Sequence, residues 1–322
     1  MPAQAGMCFY YEGSLPIMSQ TTFANSADLG ATAQDWIALL KPRVLTLVVF
    51  TGAIGLVIAP VHMNPVLAIT AILCITIAAG AAGAINMWYD RDIDAIMKRT
   101  ASRPIPAGRI APNAALFYGV FLSCFSVVLM ALATNLVAAF ILAISIAFYV
   151  FVYTIWLKRR TPQNIVIGGA AGAFPAVIGW AAATGSVSLL PVLLFIIAFI
   201  WTPPHFWSLS LYASADYERA GVPMLPVVKG ARHTRWNVFI YTLLLVASSL
   251  APCAFGLMGW IYGITAAALG AMFIYYAWGV LNDKQDAKGV SLTKDQPAKA
   301  AFKFSILYLF ILFGACAVDR LI

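Results

Sequence analysis

Charge is scarce in this chain. Only 10% of its 322 residues are Asp, Glu, Lys or Arg, and 62% are hydrophobic. A soluble domain carries about 25% charged residues. The apolar residues run in stretches of about 20, the length that crosses a bilayer. Two soluble domains are therefore excluded, and one polytopic membrane domain is expected. Histidine is scarce as well: the three are His62, His233 and, inside an apolar run, His205. The five cysteines form no CxxC pair and four lie in apolar runs. They read as small hydrophobes rather than a disulfide framework or a metal site. The net charge of +8 does not point to nucleic acid. The basic residues sit in short gaps between apolar runs, where a membrane protein places them.

The apolar runs predict an all-α bundle of nine spans, at approximately 44–62, 65–89, 113–133, 135–157, 163–183, 188–212, 236–256, 260–281 and 302–318. Connections after the first, third, fifth and seventh spans carry no Lys or Arg. Those after the second, fourth, sixth and eighth carry nearly all of them, and only Arg320 falls on the opposite side. The positive-inside rule then places the N-terminus in the cytoplasm and the C-terminus outside. Residues 1–35 are polar and lack a long apolar core, so they are expected to be a disordered leader, not a signal or transit peptide. Met18 is a second candidate start. The membrane domain is 36–322, opened by a short interfacial helix over Asp35–Pro42. Two stretches rich in small residues, Gly80–Ile85 and Gly168–Gly185, suit close helix packing in lipid or room for a bulky ligand.

The charges that exist are concentrated. The stretch NMWYDRDIDAIMKRTASRPIPAGRI (86–110) follows an uncharged run. Asn86, Asp90 and Asp94 are spaced i, i+4, i+8 and share one helical face, while Asp92 points elsewhere. They stand at a helix C-terminus, where the dipole disfavours carboxylates, so a cation must compensate. Mg²⁺ suits oxygen ligands of this kind together with substrate phosphate. Lys98, Arg99 and Arg103 then clamp a diphosphate, and Arg109 anchors the loop. The plainer alternative is a solvated loop in which the aspartates pair with those same cations. A second cluster holds Asp216, Glu218, Arg219 and Lys229; Asp216 offers a ligand for a second metal. Lys158, Arg159 and Arg160 are topology signals on the same face that also suit phosphate. Pro203-Pro204 is expected to break the sixth span at membrane depth, next to His205. An intramembrane ionisable residue is a functional candidate.

LLKPRV (39–44), NMWYDRDIDAIMKRTASRP (86–104), YTIWLKRRTPQN (153–164), WTPPHFWSL (201–209) and DYERAGVPMLPVVKG (216–230) together resemble the UbiA-type intramembrane prenyltransferases. The TPPHFW and DYERAGVPMLPVV strings resemble the branch that farnesylates protohaem. The resemblance implies nine helices round a central cavity that opens near the cytoplasmic side of a bacterial inner membrane. It implies farnesyl diphosphate as donor, haem b as acceptor, haem O as product and Mg²⁺ as cofactor, with haem A synthase as a candidate partner. Asn86, Asp90 and Asp94 would hold metal and diphosphate. The family's second motif, D-x-x-x-D, falls at Asp216, but the residue four on is Ala220, which leaves the second metal's ligands open. Lys98, Arg99, Arg103, Lys158 and Lys229 are the substrate-binding cations, Tyr153 a candidate aromatic face, and His205 the haem contact. A quinone-precursor or chlorin acceptor is the nearest alternative. A transporter would spread polar residues through several spans, and a haem chaperone would need no Asp array.

Overall fold

The computed structural model describes residues 30–286 and 289–322. Most of the polar leader, including Met18, lies outside these residues. Thr32 and Asp35 form a capping box: the Thr32 side chain accepts from the Asp35 amide, and the Asp35 carboxylate accepts from the Thr32 amide. This starts helix α1 (Ala33–Leu39) slightly ahead of the boundary expected at residue 36. The chain continues through α2 (Pro42–Val57), α3 (Pro65–Tyr89), α4 (Arg91–Ile96), α5 (Pro112–Ala133) and α6 (Leu136–Ala147), which runs on as a π-helix over Phe148–Leu157. There follow α7 (Asn164–Gly168), α8 (Ala170–Thr184), α9 (Leu189–Tyr212), α10 (Ser214–Arg219), α11 (Leu225–Lys229), α12 (Ala231–Ala254), α13 (Trp260–Leu281) and α14 (Gln296–Leu321). Pro42, Pro65 and Pro112 open their helices, where a missing N–H costs nothing.

Eight segments among the described residues are long and apolar enough to cross a membrane. The ninth, α2, has 16 residues, about 24 Å at 1.5 Å per residue, and stops at Val57 rather than running to residue 62. Large apolar side chains cover the outside: Phe117 is 73% exposed, Leu132 81% and Trp260 74%. Water does not tolerate such a surface and lipid does. The chain is a multi-pass membrane protein.

Each span packs on its neighbour in the order α2, α3, α5, α6, α8, α9, α12, α13, α14, and α14 returns to α2 to close the ring. Contacts also cross the ring, most extensively α2 with α8 and α9 with α14. The first is a backbone-to-backbone approach. A Cβ on Gly55 would stand 2.0 Å from the Ala176 carbonyl, and one on Gly179 would stand 2.0 Å from the Gly52 carbonyl. Only glycine permits it. The largest apolar cluster joins α2 and α8 to α9, α12, α13 and α14, with Trp180, Trp201, Tyr262, Phe273, Tyr308 and Phe313.

Pro203 and Pro204 do not break α9, which is helical from Leu189 to Tyr212. This corrects the expectation of a break. Both prolines are buried, and α9 is held by α8, α12 and α14. Proline's fixed φ is compatible with a helix, and in a membrane bundle the surrounding helices support the backbone where its hydrogen bonds are lost. At one end of the ring lie α4, the 97–111 loop, the end of the π-helix and α10–α11. At the other, Asp319 of α14 accepts from the Gly259 and Tyr262 amides at the start of α13.

Candidate active site

The aspartate array straddles the junction of α3 and α4. The Asp90 amide donates to the Asn86 carbonyl at 2.9 Å and the Asp94 amide to the Asp90 carbonyl at 2.8 Å. Helical register thus carries across the junction, and the three residues keep a common face. Asn86, Asp90 and Asp94 are 3%, 0% and 2% exposed, whereas the Asp92 side chain is 60% exposed.

Buried carboxylates at a helix C-terminus need compensation, and the chain supplies it from three directions. Lys41, in the turn before α2, donates to Asn86 Oδ1 at 2.7 Å. Asn86 Nδ2 in turn donates to Asp90 Oδ2 at 2.6 Å and to Thr154 Oγ at 3.2 Å. Lys158 pairs with Asp90. Arg159 grips Asp92 through both nitrogens at 2.6 and 2.7 Å and stands 3.4 Å from Asp90. Arg103 holds Asp94 at 2.6 Å. Lys41 has φ 55° and ψ 54°, a left-handed conformation uncommon outside glycine. Burial, then the nearby Arg103 and Lys158, push its ammonium down to about 7 against the pull of Asp94 and Asp90.

The π-helix brings its own side chains to this place. The Lys158 amide donates to the Tyr153 carbonyl, five residues back, at 2.9 Å. Such widened turns occur frequently at functional sites. Tyr149 and Tyr153 lie side by side with ring centroids 5.4 Å apart, and Thr154 is fully buried against Asn86. Gly168 makes room: a Cβ there would fall 2.2 Å from the Tyr153 ring.

The second cluster meets the first. The Lys98 amide donates to Asp216 Oδ1 at 3.3 Å, and Arg219 pairs with the same oxygen. Burial raises the Asp216 carboxyl, but the Lys98 amide, Arg219 and the Arg99 amide outweigh it and hold it below its ordinary value. The side chains of Lys98, Arg99 and Glu218 are exposed. Lys229 faces another place, a cavity of about 710 Å³ lined also by Ala231, Arg232, Trp236 and Trp278. Asn86, Asp90, Asp94, Arg103, Lys158 and Arg159 are thus brought into one network, to which the fold adds Lys41 and Thr154. Lys41 lies in the LLKPRV string and Thr154 in YTIWLKRRTPQN, and neither was singled out within its string.

His205 is buried among rings. Trp201 stacks at 4.3 Å and Phe302 at 4.6 Å, and Phe206 presents its edge at 5.0 Å. Ser305 Oγ is 2.6 Å from its Nδ1.

Among the described residues no three His, Cys, Asp or Glu side chains converge on a metal position. Asn86, Asp90 and Asp94 offer only oxygens. Two carboxylates and an amide fit Mg²⁺, which takes one or two carboxylates and completes its shell with water and substrate phosphate.

Residues 48–317 match the family model described as the UbiA prenyltransferase family. The chain is 68% identical over 309 residues to the protoheme IX farnesyltransferase of Acidiphilium cryptum strain JF-5, covering 96% of this chain and 98% of that protein. It is 63% identical over 292 residues to the protoheme IX farnesyltransferase of Granulibacter bethesdensis, covering 91% and 92%. The fold is that of a digeranylgeranylglyceryl phosphate synthase structure, with a TM-score of 0.72 at 21% identity over 89% of this chain and 98% of that one. It is also that of a UbiA homolog from Archaeoglobus fulgidus bound to GPP and Mg2+, with a TM-score of 0.60 at 16% identity over 88% and 99%. With the family's first aspartate motif folded into one buried face and the match spanning all but the chain's ends, this protein belongs to the UbiA prenyltransferase family.

Proposed function

We propose that the chain transfers the farnesyl group of farnesyl diphosphate to a vinyl group of protohaem IX (haem b), with addition of water, to give haem O and diphosphate. One observation carries the reading. The buried Asn86–Asp90–Asp94 face is ringed by Lys41, Arg103, Lys158 and Arg159, in a chain 68% identical to a protein named for that transfer. Asn86, Asp90 and Asp94 would hold Mg²⁺, and Asp216 would contribute to a second position. A metal bound there would supply positive charge that makes diphosphate a better leaving group.

The side chains do the rest. Lys41, Arg103, Lys158 and Arg159 face three carboxylates, Asp90, Asp92 and Asp94; with metal on Asp90 and Asp94, Lys158 and Arg103 would be released to stabilise the leaving diphosphate. Lys98 and Arg99, exposed beside Asp216, reach for the same group as it arrives. The allylic C1–O bond breaks with its electron pair going to diphosphate. The vinyl π electrons of haem form the new bond to C1. Water adds to the resulting cation and loses a proton, which leaves a hydroxyl. Burial of the array keeps stray water from the allylic cation, and the faces of Tyr149 and Tyr153 favour positive charge. His205 contacts the haem. Lys229 lines a separate cavity and stands outside the diphosphate site.

The membrane domain occupies 36–322 of a protein in the bacterial inner membrane, N-terminus inside. The haem O it releases is substrate for a haem A synthase, the candidate partner. The test is purified protein with Mg²⁺, haem b and farnesyl diphosphate, with porphyrins read by mass spectrometry. The expected product carries one farnesyl group and one water. Unchanged haem alongside a prenylated quinone precursor in a parallel assay would move the acceptor to the alternative class.

A further inference from the structure

His205 sits on α9 and Ser305 on α14, and their contact fixes more than packing. Ser305 Oγ donates to the Phe302 carbonyl at 2.7 Å. A hydroxyl has one proton, and the carbonyl, unlike an imidazole nitrogen, can only accept it. With that proton on the carbonyl, both contacts are satisfied at once when the 2.6 Å contact between Ser305 Oγ and His205 Nδ1 takes its hydrogen from the imidazole. Neutral histidine has a single ring proton, so Nε2 is left bare, with its lone pair available. No described residue is hydrogen-bonded to it.

The ring cannot turn away from this arrangement. Trp201 and Phe302 both stack nearly parallel to it, at 19° and 24°. Two rings at 4.3 and 4.6 Å cannot share one face, so they sandwich the imidazole. Trp201 Nε1 also donates to the Ser305 carbonyl at 2.7 Å, which ties the stacking ring to the residue that sets the tautomer. We propose that Ser305 is a positioning residue: it holds His205 as the Nδ1–H tautomer and so presents Nε2 as a ligand for the iron of the haem substrate. Histidines that bind metals characteristically donate the other ring N–H to an oxygen acceptor in this way. The inference rests on the reading above that His205 contacts haem.

Two measurements on the full chain in detergent test it. In ligand-free protein labelled with ¹⁵N-histidine, the ring shifts of His205, assigned as the signal missing from His205→Ala, should report Nδ1–H; a dominant Nε2–H form overturns the proposal. In titrations with protohaem followed in the Soret region, Ser305→Ala should weaken binding roughly 10- to 100-fold and alter the spectrum. Affinity for Mg²⁺–farnesyl diphosphate should stay unchanged, and Ser305→Thr, which keeps the hydroxyl, should restore haem binding. Normal haem binding by Ser305→Ala, with loss in His205→Ala, overturns the positioning role and leaves the haem contact standing. Normal binding and spectrum in His205→Ala overturn both.

Discussion

Asp90 and Asp92 stand two residues apart and are joined by one guanidinium: Arg159 Nη2 lies 3.4 Å from Asp90 and 2.6 Å from Asp92. One carboxylate is sealed inside and the other is open to solvent. Turnover should therefore fall by roughly 100-fold or more for Asp90→Asn, as when a group stabilising developing charge is lost, and likewise for Asp94→Asn. Asp92→Asn removes a partly exposed ion pair worth about 1 kcal/mol, and activity should stay within about fivefold. Steady-state rates on variants that elute as wild type in gel filtration decide it. Equal losses at all three positions contradict the shared-face geometry.

Orientation follows from the basic residues. All but one of the 20 Lys and Arg fall on one side of the ring in the proposed topology, the exception being Arg320. Alkaline phosphatase fused after Ile322 should be active, since it folds only outside the cytoplasm. A fusion active only with a cytoplasmic reporter reverses the assignment.

The α2–α8 crossing gives a paired stability test. Gly179→Ala places a methyl 2.0 Å from the Gly52 carbonyl. A backbone atom cannot step aside cheaply, so the loss should be about 1–3 kcal/mol or more. Gly172→Ala, on the same helix, meets no heavy atom within 4 Å and should gain about 0.5–1 kcal/mol from helix propensity. Thermal unfolding in detergent should move in opposite directions for the two variants.

Asp35 ties α1 to the 97–111 loop through Arg109, at 2.7 Å. The Arg109 hydrogen bond, followed by those from Thr32, holds the Asp35 carboxyl below its ordinary 3.8. A lowered carboxyl stabilises the fold above its unfolded value, and the contribution disappears as pH falls through the folded value. The Tm difference between wild type and Asp35→Asn should be constant from pH 5 to 7 and shrink below about pH 4. A difference that grows on acidification reverses the sign.

Much of this was readable in one dimension. The span at 65–89 coincides with α3 and that at 260–281 with α13, because apolar runs and their polar ends are local. Asn86, Asp90 and Asp94 were visible together because a four-residue step is local too. The partners were not: Lys41 is 45 residues from Asn86 and Thr154 68, and Ser305 is 100 from His205. The same limit explains Pro203 and Pro204, whose neighbours on other helices support the backbone they weaken. Nor does any local pattern in FYVFVYTIWL mark the wider π turns. An aromatic run of that kind suits an ordinary helix equally well.

The closure of the ring sets an order in time. α2 packs on α14, and Phe50 stacks on Phe310 with centroids 4.0 Å apart. About 250 residues separate the starts of these two helices. At roughly 5–20 residues per second of synthesis, Phe50 stands in the bilayer for some tens of seconds before its partner exists. Until then the shortest span is held by α3 and, once made, by α8. During biosynthesis the ring is an open arc, and the earliest segment is the last to be enclosed.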